Sequence, residues 1–199
     1  AIWTETGAFS FEDQVELARM FSSEIEYSEE NLDRLFREVM DIRMAGLAQS
    51  IHEKRLKFVE DLKPVVAEYY KALSGGSEIV DIEYESDLFK GPLDQTFAAS
   101  YDKDRILKYT TAGIQRDDFI FRMNGYPLRR HGSQGQQKSF LIALKLAQYR
   151  LIAEVTGERP ILLLDDLFDK LDMRRVAKLL EVVSSQEFGQ ICITDCNQV

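Results

Sequence analysis

The spacing of apolar residues predicts a mainly helical N-terminal part of the chain. Phe11 to Phe21 and Asn31 to Met40 each show the spacing of a short amphipathic helix. A longer pattern, from about Asp41 to Leu73, predicts an extended amphipathic helix. Pro64 lies inside it and should kink or divide it, because proline cannot donate the helical hydrogen bond. The predicted apolar stripe is Leu47, Ile51, Phe58, Leu62, Val65, Tyr69 and Leu73, and the polar face holds His52, Glu53, Lys57, Glu60 and Lys63.

After a Gly-Gly pair, which predicts the end of this helix, the pattern changes to short strands. Val80 to Glu85 alternate apolar and acidic residues, and this predicts a half-buried strand. A helix is predicted within Gly91 to Leu107, and a second alternating run follows over Phe119 to Met123. Asn124-Gly125 then predicts a hairpin turn, with Tyr126 to Leu128 as the return strand.

The last third of the chain alternates helices and strands, the order typical of an α/β fold. Helices are predicted over Ser139 to Val155 and Met173 to Val183, and strands over Ile161 to Leu164 and Gln190 to Thr194. The continuous apolar run of Ile161 to Leu164 favours a strand of a parallel sheet that is buried on both faces.

Composition limits the size and the setting of the protein. With 199 residues and 45% apolar content, the chain can form one sizeable core, or one domain with a smaller appendage. No apolar run reaches the ~20 residues that span a bilayer, and the first ten residues do not resemble a signal peptide. Cys192 and Cys196 are either a redox or metal pair or, as we favour, two reduced thiols, one of them in a buried strand, which fits a reducing cytoplasm.

The net charge of −9 argues against a broadly basic surface of the kind that binds nucleic acid. Acidic residues crowd the first 40 positions, where an ordinary solvated surface explains them. A local basic patch can still contact phosphates within an acidic protein. The basic residues that gather later in the chain are Arg122, Arg129, Arg130, His131 and Lys138.

The segment Gly132-Ser133-Gln134-Gly135-Gln136-Gln137-Lys138 precedes the helix predicted to begin near Ser139. Free N–H groups and a partial positive charge at a helix N-terminus attract phosphate. A glycine permits close approach of the phosphate, and a serine hydroxyl adds a donor. Taken alone, the segment is also typical of an ordinary polar helix cap.

A second candidate segment begins where the apolar run ends, at Asp165 and Asp166. Ligands of parallel sheets meet the carboxyl ends of the strands. One aspartate there can hold Mg²⁺, and its neighbour can orient or deprotonate an attacking water. Two adjacent carboxylates about 30 residues after the Ser-Gln-Gly segment are more specific than either feature alone. Leu171-Asp172 follows, and Asp172 is also a plausible N-cap of the next helix.

Together these segments resemble the RecF family of bacterial ABC-type ATPases, most closely its Bacteroidetes-type sequences. The run from Tyr126 through Gln190 carries the resemblance, which covers roughly residues 41–199; the first 40 residues have no match. The matching motifs are Gly132 to Ser139, Ala143 to Gln148 and Ile161 to Asp172, with further similarity at Ile51 to Arg55, Tyr69 to Leu88, Asp104 to Thr111 and Gly113 to Asp118.

The resemblance implies an ATPase head related to those of Rad50 and SMC proteins, joined to a helical second domain. It also implies DNA binding, ATP-dependent dimerisation and, with the mediator RecR, loading of the RecA recombinase at DNA gaps coated by single-strand binding protein. By motif, Asp165 is the Walker B ligand of Mg²⁺, Asp166 takes the catalytic carboxylate position and Asp172 is the D-loop aspartate. Ser133, Gly135 and Gln136 would contact the γ-phosphate of ATP held by the partner subunit, and Gln134 and Asp172 complete the predicted nucleotide-binding residues. The candidate DNA-binding residues are Arg122, Arg129 and Arg130.

The sequence departs from the family pattern in three places. It contains no Gly-x-x-x-x-Gly-Lys-Ser/Thr, the P-loop that cradles a triphosphate. Gly113 to Asp118 has Ile-Gln where the family has Pro-His, and Thr194-Asp195 stands where many ABC proteins have a switch histidine. Leu73-Ser74-Gly75-Gly76 also looks like an ABC signature, but it closes a helix instead of opening one, and we interpret it as a helix stop.

The sequence therefore predicts an α/β fold, a partial ABC-type ATPase head with a helical second domain, in a RecF-like chain truncated at both ends. Residues 1–112 are expected to form the mainly helical domain and residues 113–199 the C-terminal part of the head. The parent is expected to be a weak ATPase of recombinational DNA repair, and this chain alone to be inactive. The alternatives are a non-catalytic DNA- or partner-binding module on an ATPase-like scaffold, and a head fragment of another SMC-like ATPase.

Overall fold

A computed structural model of the chain describes residues 29–165 and 170–194. The short helix predicted over residues 11–21 lies outside this part of the chain. None of the described helices is both long and apolar enough to cross a lipid bilayer. The elements in chain order are α1 (Glu29–Ser74), β1 (Val80–Glu85), α2 (Leu93–Leu107), β2 (Asp118–Met123), β3 (Tyr126–Pro127), α3 (Leu128–His131), α4 (Gln134–Thr156), β4 (Leu162–Leu164), α5 (Met173–Val183) and β5 (Ile191–Ile193).

Helix α1 joins the two helices that the sequence pattern placed on either side of residue 40. It continues through Pro64, so the predicted division of the helix does not occur. The helix ends at Ser74, and Gly75 and Gly76 follow with φ angles of 79° and 86°. Glycine adopts these left-handed angles without strain, so the predicted helix stop is confirmed.

The buried face of α1 differs from the predicted stripe, in which Ile51 and Phe58 are exposed. Ala48 and His52 are buried, whereas Leu47 is exposed. His52, predicted on the polar face, packs edge-on against Phe89, with ring centroids 4.9 Å apart. Ala48 and His52 share a face at i, i+4 spacing. A stripe traced through the larger apolar side chains misses this face, because alanine and histidine add little to the hydrophobic pattern.

The described residues belong to two compact units. The first unit takes residues 29–53 and 86–117. Within it, Asp87 accepts hydrogen bonds from Lys90 at 2.8 Å and from the N–H of Gly113 at 3.3 Å. The boundary predicted between residues 112 and 113 stays a prediction. The core of this unit is formed by Ala48, Leu93, Phe97 and Ala112.

The second unit takes residues 54–85, 118–165 and 170–194 and contains the larger core. Strands β1, β2 and β3 form an antiparallel sheet in that order. Asn124 and Gly125 make the predicted turn, both at positive φ. The return strand has only two residues, because Leu128 already begins α3. Among the most buried side chains are Val66, Tyr70, Ile82, Leu146 and Leu179.

Strands β4 and β5 form a parallel pair, as predicted. Leu162 and Leu164 are each 7% exposed, whereas Leu163 between them is 71% exposed. Cys192, which pairs with Leu163 across the two strands, is also exposed. The predictions of a strand buried on both faces and of a cysteine within a buried strand are therefore wrong for β4 and Cys192. The core covers one face of this pair, and no element within residues 29–165 and 170–194 covers the other.

The one-sided burial of β4 predicts different effects for two neighbouring substitutions in the 199-residue chain. Leu164→Ala removes a buried side chain and should lower the free energy of unfolding by about 2–5 kcal/mol. Leu163→Ala makes the same chemical change on the exposed face and should alter it by less than about 1 kcal/mol. Urea denaturation followed by circular dichroism measures both values, and equal losses would contradict one-sided burial.

Candidate functional site

The Ser-Gln-Gly-Gln segment forms the N-terminus of α4, which begins at Gln134 and not near Ser139 as predicted. The cause is a capping box. The Ser133 hydroxyl accepts a hydrogen bond from the N–H of Gln136 at 3.2 Å, and the Gln136 side chain accepts one from the N–H of Ser133 at 2.7 Å. The polar residues before Ser139 therefore extend the helix by more than a turn, a start that an apolar pattern does not reveal.

The capping box leaves a defined set of donors at this end of α4. Gln134 and Gly135 are its first two residues, and N–H groups at these positions have no acceptor within an α-helix. Ser133 is exposed and uses its oxygen as an acceptor, so its hydroxyl hydrogen can be donated outwards. With the partial positive charge of the helix end, these groups suit an anion such as a phosphate.

Gln136 is used differently, because its amide is bonded at both ends within the protein. Its Oε1 atom accepts from the N–H of Ser133, and its Nε2 atom donates to Glu78 at 2.7 Å. Its own N–H is donated to Ser133. The predicted contact between Gln136 and a phosphate stays a prediction, and the second hydrogen of Nε2 is the donor that these bonds leave for it.

Arg175, in α5, and Glu78 form the centre of a network beside this helix end. Their side chains are 16% and 13% exposed, and Arg175 Nη2 lies 3.4 Å from Glu78 Oε1. Nη1 of Arg175 donates to the carbonyl of Gly135 at 3.2 Å and to the hydroxyl of Ser139 at 2.9 Å. Tyr70 of α1 donates to the other carboxylate oxygen of Glu78 at 2.6 Å. The network therefore joins the first turn of α4 to both α5 and α1.

The protonation states in this network follow from its contacts. Burial raises the pKa of Glu78, but hydrogen bonds from Tyr70 and Gln136 and the charge of Arg175 outweigh burial and hold this pKa below its ordinary value. Burial, and then the hydrogen bond to Glu78, raises the pKa of Tyr70. At neutral pH Glu78 is therefore a carboxylate and Tyr70 is its protonated donor.

Asp172 is the N-cap of α5, as predicted. Its side chain accepts from the N–H of Arg175 at 2.9 Å, and its other oxygen lies 3.4 Å from Nε of Arg175. The chain just before it passes close to α4, since a Cβ atom added to Gly135 would lie 3.1 Å from the carbonyl oxygen of Lys170. The structure thus brings Gly135 and Asp172 together around one arginine, and Gln136 joins them through Glu78.

Asp165 follows β4 and is exposed. Its Oδ1 atom accepts a hydrogen bond from the hydroxyl of Thr194, which follows β5. Mg²⁺ in nucleotide sites takes one or two protein carboxylates and completes its shell with phosphates and waters. An exposed aspartate held by a hydroxyl fits that donor set, although residues 29–165 and 170–194 contain no cluster of three or more metal-ligating side chains. Asp166, the predicted catalytic carboxylate, lies outside these residues.

The three candidate DNA-binding arginines differ in their surroundings. Arg122 of β2 forms an ion pair with Glu83 of β1 at 2.5 Å. Arg129 and Arg130 are exposed in α3, and neither forms an ion pair with any residue that the structure describes. A phosphate on the surface would therefore meet two unmatched charges in α3, whereas the charge of Arg122 is already matched.

Sequence reasoning missed Glu78, Arg175 and Tyr70 as parts of the site. Glu78 follows the glycine pair as one more polar loop residue, and Tyr70 is a core aromatic in an amphipathic helix. Of the three, Arg175 alone has a feature in the sequence that could have indicated its role. It lies in the first turn of α5, where a cation opposes the helix dipole and needs a compensating partner.

Curated proteins named DNA replication and repair protein RecF are similar to this chain, whereas no protein-family model matches it. The protein of Flavobacterium johnsoniae is 48% identical over 147 residues, which are 74% of this chain and 41% of the relative. That of Cytophaga hutchinsonii is 44% identical over 164 residues, 82% of this chain and 44% of the relative. That of Parabacteroides distasonis is 44% identical over 170 residues, 85% of this chain and 47% of the relative. The chain thus spans less than half the length of these relatives.

Solved structures of RecF also match this chain. The structure of the recombination mediator protein RecF-ATPrS in the RecFOR pathway matches with a TM-score of 0.67 and 26% identity, covering 94% of this chain and 50% of that one. The corresponding RecF-ATP structure matches with the same TM-score and identity, covering 92% and 49%. The resemblance to RecF and the predicted fold class are thereby confirmed over the part of RecF that this chain spans.

Glu78 should contribute to the acid sensitivity of the second unit. A carboxylate whose pKa is lowered by folding contributes stability that is fully present above its unfolded pKa, about 4.3. This stability is lost as the pH falls through the lower folded pKa. In the 199-residue chain, Glu78→Gln should therefore flatten the fall in the free energy of unfolding below about pH 5. Urea titrations across this range measure the effect. Glu181→Gln, in an exposed ion pair of α5, is the control, and a Glu78→Gln variant that keeps the original acid dependence would contradict the assignment.

Proposed function

We propose that this chain, a homologue of RecF over about half of that protein's length, is part of an ATP-dependent DNA-binding protein of recombinational repair. The observation that carries the proposal is the capped N-terminus of α4. Ser133 is exposed there, and the first N–H groups of the helix face the same end. Asp172 is tied to this turn through Arg175. The arrangement suits one half of a nucleotide site whose other half belongs to a second subunit.

In this proposal the α4 end serves ATP held by the partner subunit. Ser133 donates its hydroxyl to the γ-phosphate while its oxygen keeps the N–H of Gln136. The N–H groups of Gln134 and Gly135 add donors, and the helix dipole favours the negative charge. Asp172, which Arg175 links to this turn, is the D-loop aspartate. Such contacts need no covalent chemistry, because positioning and electrostatic stabilisation supply most of the catalysis in phosphoryl transfer.

Asp165 serves the subunit's own nucleotide in the same proposal. Thr194 holds one of its oxygens, which leaves the other for Mg²⁺. The bound ion would neutralise charge that develops on the transferred phosphoryl group. Asp166, next in sequence, is proposed to orient the attacking water. Thr194 is the group that holds Asp165 in place, at the position where many ABC proteins carry a histidine.

The proposed partners of the full-length protein are DNA with single-strand/double-strand gaps, a RecR-like mediator and a second copy of itself bound through ATP. The proposed setting is the cytoplasm, which fits the prediction that both cysteines are reduced. Curated relatives named for DNA replication and repair, and structures of a mediator in the RecFOR pathway, support this choice.

Ser133→Ala in the full-length gene product should weaken ATP-dependent dimerisation by about tenfold or more, because a hydrogen bond to a charged phosphate is lost. ATP affinity of the monomer should stay the same, because Ser133 contacts nucleotide held by the other subunit. Sedimentation with and without ATP measures the first quantity, and titration with a fluorescent ATP analogue the second. Ser74→Ala is the matched control, since Ser74 precedes two glycines in the look-alike segment that ends α1. Equal dimerisation of both variants would overturn the assignment.

The purified 199-residue chain should not hydrolyse ATP, because its sequence lacks the P-loop motif. The measurement is phosphate release with Mg²⁺ and ATP, compared with the full-length gene product. Robust turnover by the 199-residue chain that Asp166→Asn abolishes would sink this expectation.

A second candidate, a non-catalytic DNA-binding module, is favoured by Arg129 and Arg130, which form no ion pair within the described part of the chain. Replacing both with glutamine should reduce the slope of log K against log salt concentration by about 2, since each lost phosphate contact removes about 0.9. Arg122→Gln should change the slope less, because Glu83 already matches that charge. Fluorescence anisotropy with gapped DNA measures the slopes with and without ATP. ATP-independent binding would favour this module, and unchanged slopes would exclude these arginines.

A further inference from the structure

We infer that Arg175 and Glu78 are positioning residues that hold the α4 end and Asp172 in one geometry for the nucleotide of a second subunit. This inference rests on the proposed function. Neither residue is expected to touch nucleotide, because both side chains are largely buried, at 16% and 13% exposure. They act through Gly135 and Asp172 on one side and through Gln136 on the other.

Arg175 uses three nitrogens at once. Nη1 donates to the Gly135 carbonyl and to Ser139, Nη2 faces Glu78, and Nε lies 3.4 Å from Asp172 Oδ2. The planar guanidinium presents five N–H donors on three nitrogens in fixed directions, whereas a lysine ammonium has three donors on one nitrogen and cannot reach all of these acceptors at once. The side chain therefore fixes the distance between the first turn of α4 and the N-cap of α5.

Glu78 links this network to Ser133 through Gln136. It accepts from Arg175, Tyr70 and Gln136, and the Oε1 atom of Gln136 accepts the N–H of Ser133 in turn. Tyr70 is completely buried and anchors the carboxylate from the core. The orientation of Ser133 thus depends on a chain of bonds that starts in the core and passes through Glu78 and Gln136.

A purely stabilising role explains this arrangement poorly. A largely buried ion pair is weak support for stability, because desolvation offsets most of the attraction. The position of Arg175 in the first turn of α5 is also unfavourable to the helix dipole. By contrast, Arg150 pairs with Glu68 and Glu187 nearer the surface, and none of those partners is a candidate site residue. The less favourable ion pair is the one that contacts the proposed phosphate-binding turn.

Arg175→Lys and Glu78→Gln in the full-length gene product test the inference. Both should raise the apparent dissociation constant of the ATP-bound dimer about tenfold, since charge-assisted bonds that fix the turn are lost. The affinity of the monomer for ATP should change less than about twofold, because the subunit's own nucleotide contacts neither residue. Arg174→Lys and Glu181→Gln, on exposed positions of the same helix, are the matched controls and should change neither value.

A double-variant cycle separates positioning from general stabilisation. If Arg175 acts through the turn that presents Ser133, Ser133→Ala combined with Arg175→Lys should weaken dimerisation by much less than the product of the two single effects. Independent structural damage gives the full product. If Arg175→Lys does not fold, the same cycle with Glu78→Gln decides, because glutamine keeps the shape of the side chain.

The outcomes distinguish the proposed function from the positioning role of Arg175 and Glu78. A Ser133→Ala variant that dimerises normally with ATP overturns the proposed function, and this inference falls with it. A clear Ser133→Ala effect, combined with normal dimerisation of Arg175→Lys and Glu78→Gln, overturns the inference alone. If the two substitutions weaken dimerisation by the full product of their single effects, the inference is also overturned. A combined effect well below that product, with unchanged ATP affinity of the monomer, supports the inference.

Discussion

The need to match the charge of one enclosed arginine constrains most of the candidate site. An unpaired cation away from water costs several kcal/mol, so Arg175 must be surrounded by acceptors. Glu78 supplies the countercharge, while Gly135 and Ser139 supply neutral oxygens. These acceptors come from the loop before β1 and from the first two turns of α4. Satisfying Arg175 therefore fixes how α5 approaches α4, and with it the surroundings of Asp172.

The two helix caps make this arrangement possible. Ser133 starts α4 early enough to place Gly135 beside Arg175, and Asp172 starts α5 so that Arg175 falls in its first turn. Each cap stabilises its helix locally by about 1 kcal/mol. Each also leaves polar groups exposed at the same end of the second unit. The same residues thus cap the helices and form the candidate phosphate contacts. For this reason the spacing of the motifs predicted both the N-cap of α5 and the candidate site.

Those features of the fold that depend on near neighbours in sequence could be predicted. Periodicity gave α5 with its exact bounds, and Asn124-Gly125 gave the hairpin turn. Contacts between distant residues could not be predicted in this way. Glu78 and Arg175 are separated by 97 positions, and nothing near either residue reveals the other. The same limit applies to Leu163, because an apolar run in sequence does not say whether one or both faces of a strand are covered.

Ser133 also determines how this segment can change in evolution. An aspartate at this position would cap α4 at least as well, but a carboxylate has no hydrogen to donate and would repel a phosphate. Glycine would keep most of the cap and lose the hydroxyl. Either replacement would leave a sequence that folds and still resembles its relatives but lacks the hydroxyl donor of the proposed phosphate contact. Overall similarity therefore indicates descent, whereas the residue at position 133 decides whether the donor for the proposed phosphate contact is present.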